Sequence, residues 1–147
     1  GGTALPPVKV TDNDLSALRS DFGAKGDRPD VVVFAAPQLS IVEMEQITKL
    51  VDGQNLKIPM IVCTPPQTYG DAKRLGFVSK IENAGGTVLE GTCFYQQGAR
   101  EIGEANGWVR LLSNSAKIVN ILGGYGYKPA LASMKDCVAA AIEGKIN

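Results

Sequence analysis

Ser113, Asn114, Ser115 and Lys117, in the stretch SNSAK, place two hydroxyls, an amide and an ammonium between the apolar runs WVRLL and IVNIL. Set where a strand hands over to a helix, these groups suit a carboxylate or phosphate, because free backbone N–H groups, the positive end of the helix dipole and the lysine charge would converge on one anion. The same spacing is met by a plainer arrangement, in which Ser113 or Asn114 caps the helix and Lys117 points into water. Cys93, in GTC, could be a metal or cluster ligand or a nucleophile, since a thiolate near helix termini has a lowered pKa; a lone cysteine also serves as a small buried hydrophobe. Thr64, Tyr69 and Tyr95 could offer hydroxyls to the same ligand, with turn and packing roles as the alternative.

Composition narrows the chemistry. The chain has no histidine, so a histidine-based triad, a histidine-ligated metal and the usual proton shuttle of neutral pH are excluded within it. Acid–base work falls to Lys, Tyr, Cys, Asp or Glu, or to a partner chain. Lysine plus arginine equals aspartate plus glutamate at 15 each, and no basic excess points to nucleic acid or an anionic membrane. The longest apolar runs, VVVFAA and IPMIVC, are far shorter than the roughly 20 residues of a membrane helix. GGTALPPVKV lacks the basic-then-apolar pattern of a signal peptide, and the expectation is a soluble, cytoplasmic protein. Cys63, Cys93 and Cys137 make neither a disulfide framework nor a CxxC pair; Cys63 and Cys137 are expected in the core. LGGYGYKP lacks the setting of a phosphate loop and reads as a turn. Glu43 and Glu45 belong to a helix cap and a solvated face rather than to a glycosidase pair.

Short β-branched runs alternate with segments of helical period, the rhythm of parallel βαβ units. LPPVKV counts as a first strand. Thr11 and Asp14 then begin a helix with Leu15, Leu18 and Phe22 on one face. VVVFAA reads as a strand buried on both faces, and Ser40 with Glu43 opens a helix carrying Met44, Ile47 and Val51. IPMIVC is the next strand, and a helix weakened at Gly76 fills much of 67–84. TVLEG is a fourth strand, a short helix lies between Gly98 and Gly107, and WVRLLS is a fifth strand leading into SNSAK. Residues 127–131 suit a short edge strand limited by Pro129, and Ser133 with Asp136 opens a last helix. The expected fold is a three-layer α/β/α sandwich with a largely parallel sheet. Residues 1–7 are expected to be a tail or cloning remnant, with Gly1 and Gly2 outside the fold, and 8–147 one domain. In such sheets ligands bind beyond the carboxyl ends of the strands, so four loops should share one edge: 35–40, 63–70, 91–98 and SNSAK.

Taken together, IENAGGTVLEGTC at 81–93, SNSAK, and SMKDCVAAAIEG at 133–144 resemble the C-terminal part of the large subunit of the aconitase X family, over about Val8 to Lys145. The resemblance implies a hydro-lyase, a dehydratase of hydroxy acids such as mevalonate 5-phosphate or cis-3-hydroxyproline. It also implies an iron–sulfur cluster in a cleft shared with the remaining large-subunit domains and a small swivelling domain or subunit. By the same likeness Cys93 matches a cluster-ligand position and Asn114, Ser115 and Lys117 match part of the substrate-binding wall. Lys117 and Ser115 are the catalytic candidates, and Ser113, Asn114 and Thr64 the substrate-binding ones. Where many members read Gly-Cys-Pro-His, this chain has Ala35-Ala36-Pro37-Gln38, with Ala36 in place of the cysteine. Where they often read Thr-Ser-Arg it has Thr64-Pro65-Pro66, and Ile118 to Ile121 follow the motif. Two alternatives stay open: a cluster-free enzyme acting on a related acid, and a non-catalytic module that stabilises a partner.

Overall fold

A computed structural model describes residues 5–23 and 27–147; the tail expected at Gly1 and Gly2 lies outside them. The order of elements is α1 (Asp12–Asp21), β1 (Val31–Phe34), α2 (Ile41–Leu50), β2 (Met60–Thr64), α3 (Pro66–Arg74), α4 (Phe77–Asn83), β3 (Gly86–Glu90), α5 (Ala99–Asn106), β4 (Arg110–Ser113), α6 (Ala116–Leu122), β5 (Lys128–Leu131) and α7 (Met134–Glu143). The sheet has the order β3-β2-β1-β4-β5, and every neighbouring pair is parallel. The three-layer α/β expectation therefore holds.

Alternation along each strand builds two cores. Val32 and Phe34 join Met60, Val62, Val88 and Leu112 on one face, against α2, α4 and α7. Val31 and Val33 join Ile61, Cys63 and Leu111 on the other, against Phe94, Ala99 of α5 and Ile118 of α6. β1 lies at the centre with all four residues fully enclosed, which is why its sequence is apolar at every position rather than at alternate ones.

Local chemistry sets the boundaries. Ser40 and Glu43 close the expected capping box on α2, and Ser133 caps α7 by accepting from the Asp136 N–H. The helix expected over much of 67–84 divides in two because Gly76 adopts φ +78, a left-handed backbone that ends one helix and starts the next. β1 stops at Phe34 rather than Ala36, because Ala36 turns out of the strand at φ 49.

LPPVKV corrects the first-strand expectation. Residues 5–10 are exposed and form no strand, since Pro6 and Pro7 have no N–H to give a ladder. Leu15 and Leu18 of α1 do share a face, but they are 46 % and 39 % exposed, and the helix has no buried residue. At the outer edge of β5, Lys128 donates inward to Val109 while the Leu131 N–H donates to the Phe22 carbonyl. Pro129, two residues before Leu131, has no N–H to present on that outward side, so the edge offers little to a further strand.

Candidate active site at the strand ends

The strand order reverses direction between β1 and β4. The first connections run outward to β2 and β3, and the chain then returns to β4 and β5. In doubly wound sheets the crevice at this switch point, beyond the carboxyl ends of the strands, is where ligands bind. SNSAK leaves β4 at that point, beside the 35–38 loop that leaves β1.

Two hydroxyls of the motif close the crevice. The Ser113 hydroxyl donates to the Val33 carbonyl at 2.7 Å and accepts the Ser115 N–H at 3.2 Å. The Ser115 hydroxyl donates to the Ala36 carbonyl at 2.6 Å and accepts the Ile118 N–H, which makes Ser115 the N-cap of α6. The cap is thus Ser115, where the plainer arrangement had Ser113 or Asn114. Both serines are buried, and in this arrangement neither keeps a hydroxyl proton for a substrate. Thr64, fully enclosed at the end of β2, likewise donates to the Leu39 carbonyl at 2.8 Å. These three candidates hold the β1, β2 and β4 ends in register.

The other two side chains of the motif are accessible, and their neighbours differ. Lys117 is exposed, with its Nζ 5.8 Å from the centroid of the Tyr95 ring. Half-buried Asn114 lines a cavity of about 710 Å³ together with Leu18 and Arg19 of α1, Leu131 of β5, and Ser133 and Met134 at the start of α7. Among the described residues no carboxylate lies within ion-pair distance of Lys117.

The GTC loop lies along the same edge. Its Gly91 N–H donates to the Thr64 carbonyl. Gln38, on the β1 loop, donates its amide to the Thr92 carbonyl at 2.7 Å, and the Gln97 amide donates to the Thr92 hydroxyl. Nothing in the local pattern around Gln38 announces this bond, because its partner is 54 positions away. The ring face of Tyr95, rather than its hydroxyl, is what meets Lys117. Tyr69 packs against the core around α2 and α4.

Cys93 is 7 % exposed and shares an apolar cluster with Cys63 and Ala36. Burial pushes the Cys63 thiol up to about 12, with the neighbouring Cys93 adding to the shift and the Phe94 N–H on its sulfur opposing it. All three cysteines are free. Among the described residues no three His, Cys, Asp or Glu side chains come together to hold a metal ion. The donor set of this chain therefore does not fit an iron–sulfur cluster by itself, since such clusters are held by three or four thiolates.

The family model described as the aconitase X third domain matches residues 29–143. The phosphomevalonate dehydratase large subunit of Thermococcus kodakarensis is 26% identical over 140 residues, covering 93% of this chain and 35% of the relative. That of Methanocaldococcus jannaschii is 29% identical over 113 residues, covering 77% and 27%. The cis-3-hydroxy-L-proline dehydratase of Hypocrea jecorina is 27% identical over 118 residues, covering 78% and 20%. A crystal structure of Thermococcus kodakaraensis aconitase X in its holo form superposes with a TM-score of 0.76 at 22% identity, over 91% of this chain and 34% of that one; at that identity it shows the fold alone. The chain spans about a third or less of the length of the curated relatives it matches.

Proposed function

This chain belongs to the aconitase X family, as its third domain, and we propose that it forms one wall of the active site of a multi-domain dehydratase of a hydroxy acid or phosphorylated hydroxy acid. The observation that carries the reading is the position of SNSAK at the switch point of the sheet, beside the GTC loop. The names of the relatives support the reaction class, phosphomevalonate and cis-3-hydroxy-L-proline being the acids those names contain.

Dehydration needs the anionic end of the substrate held, a base for the departing proton and an acid for the leaving hydroxyl. Lys117 supplies the positive charge of this wall. An exposed ammonium with no carboxylate partner among the described residues suits a carboxylate or phosphate. Asn114 adds an amide at the mouth of the adjoining cavity. Ser113, Ser115 and Thr64 act through the backbone carbonyls they hold, so Ser115 serves as a positioning residue for Lys117 two places on. The base and the acid come from the facing domains. Cys93 is the thiol of this edge that a cluster housed mainly by other domains could use, and no step here depends on it.

A cluster-free reaction on a related acid is the second reading, favoured by the absence of a third metal donor among the described residues. Lys117→Ala tests the leading one. In the enzyme assembled with its native partner domains and assayed on phosphomevalonate and cis-3-hydroxy-L-proline, the variant is expected to lose about 100-fold or more in kcat/KM, as for removal of a charge-stabilising group. Unchanged turnover would clear Lys117 of this role.

A further inference from the structure

We propose that Tyr95 is a positioning residue for Lys117, its ring face holding the ammonium at the strand ends without neutralising it; the functional side of this inference rests on the proposed role of Lys117. Both ends of the pair are anchored. On the lysine side, the Ser115 cap ties the start of α6 to the Ala36 carbonyl. On the tyrosine side, the ring belongs to a 3-10 turn, Phe94–Gln97. Phe94 is fully buried and meets Tyr127 edge-on at 6.0 Å. The Tyr127 hydroxyl in turn donates to the Ala99 carbonyl. Thr92, just before the turn, is clasped by the amides of Gln38 and Gln97. The platform is thus fixed by contacts to the loop after β1, through Tyr127 to α5, and within its own loop.

A lysine on a flexible four-carbon stem samples many rotamers. A carboxylate would select one of them, and would also consume the charge that an anionic substrate needs. An aromatic face within about 6 Å selects a rotamer by its quadrupole and leaves the ammonium cationic. The Lys117 Nζ lies 5.8 Å from the Tyr95 centroid, which falls within that limit. At an exposed site such a contact enriches the stacked rotamer by roughly two- to five-fold.

The test needs no substrate. Lysines of the full 147-residue chain are reductively methylated with 13C, which keeps them cationic, and the Lys117 signal is assigned by its loss in Lys117→Arg. Ring current should displace that signal upfield of the exposed lysines in the parent chain and in Tyr95→Phe, and the displacement should vanish in Tyr95→Leu. A Lys117 signal that coincides with the exposed lysines in the parent, or survives in folded Tyr95→Leu, overturns the pairing. If Tyr95→Leu does not fold, the parent and Tyr95→Phe spectra decide. In the assembled enzyme, Tyr95→Leu should lower kcat/KM by roughly two- to five-fold, the share of the stacked rotamer, with Tyr95→Phe restoring it. A displaced signal with no effect of Lys117→Ala on turnover would leave the pairing intact and sink the catalytic reading. Loss of turnover in Lys117→Ala with an undisplaced signal would do the reverse.

Discussion

Cys63 and Cys137 are both fully enclosed, and burial raises each thiol from 9.0 to about 12. The sign of the consequence follows from linkage. The unfolded chain loses these protons near the unperturbed value while the folded chain keeps them, so folding is unaffected by them below about pH 9 and is progressively opposed from there to about 12. In that window each thiol is expected to remove up to about 1.4 kcal/mol of stability per pH unit. Urea midpoints of Cys137→Ala and the parent should therefore differ by a constant below the window and converge or cross within it; parallel curves throughout would contradict the burial argument. Near neutral pH an alkylating reagent should leave both thiols unmodified until urea is added. At this scale the partners of the hydroxyls are what the sequence leaves unread. Ser113, Ser115 and Thr64 were expected to face a ligand, yet their protons go to carbonyls 80, 79 and 25 positions away, and no local pattern encodes a partner at that separation.

Among the elements, α5 offers the sharpest contest between local and tertiary preference. Alanine is a better helix residue than glycine by about 1 kcal/mol, and Gly103 lies inside α5. A Cβ there would sit 2.6 Å from the Tyr127 hydroxyl and 3.3 Å from the Trp108 carbonyl, and that hydroxyl is already committed to the Ala99 carbonyl. Gly103→Ala is therefore expected to destabilise by about 1–3 kcal/mol, the range for overpacking, read as a lower denaturant midpoint at unchanged slope. A stabilised variant would mean that Tyr127 yields easily. Elements whose boundaries rest on neighbouring residues were legible, as at the caps of Ser40 and Ser133 and in the buried β1 run, whereas Gly76 read as a weak point in one helix and in fact divides it in two. LPPVKV was not legible. Its alternating valines read as a strand, but the pairing of an edge segment depends on what lies beside it, and Pro6 and Pro7 take two N–H donors out of it.

The whole molecule is a well-packed two-faced core with one helix standing apart. α1 has no buried residue, and its leucines look onto the cavity shared with Asn114 and the start of α7. No helix among the described residues is long and apolar enough to cross a membrane. Relatives nearly three times as long or more carry the rest of their length outside the matched part, and the proposed wall, with a cation, an amide and one buried thiol, would need its site completed from outside. Because no three metal donors converge among the described residues, this chain purified without oxygen and incubated with ferrous iron and sulfide is expected to retain no stoichiometric iron. A chain that held iron and sulfide in stoichiometric amount would overturn that expectation and with it the cluster-free reading. The two serine bonds between the ends of β1 and β4 also carry a mechanical meaning. Two buried hydroxyls lace the carboxyl end of β1 to that of β4, so the two strand ends are tied to move as one unit, and on the proposed function this side would be the stationary jaw of the cleft.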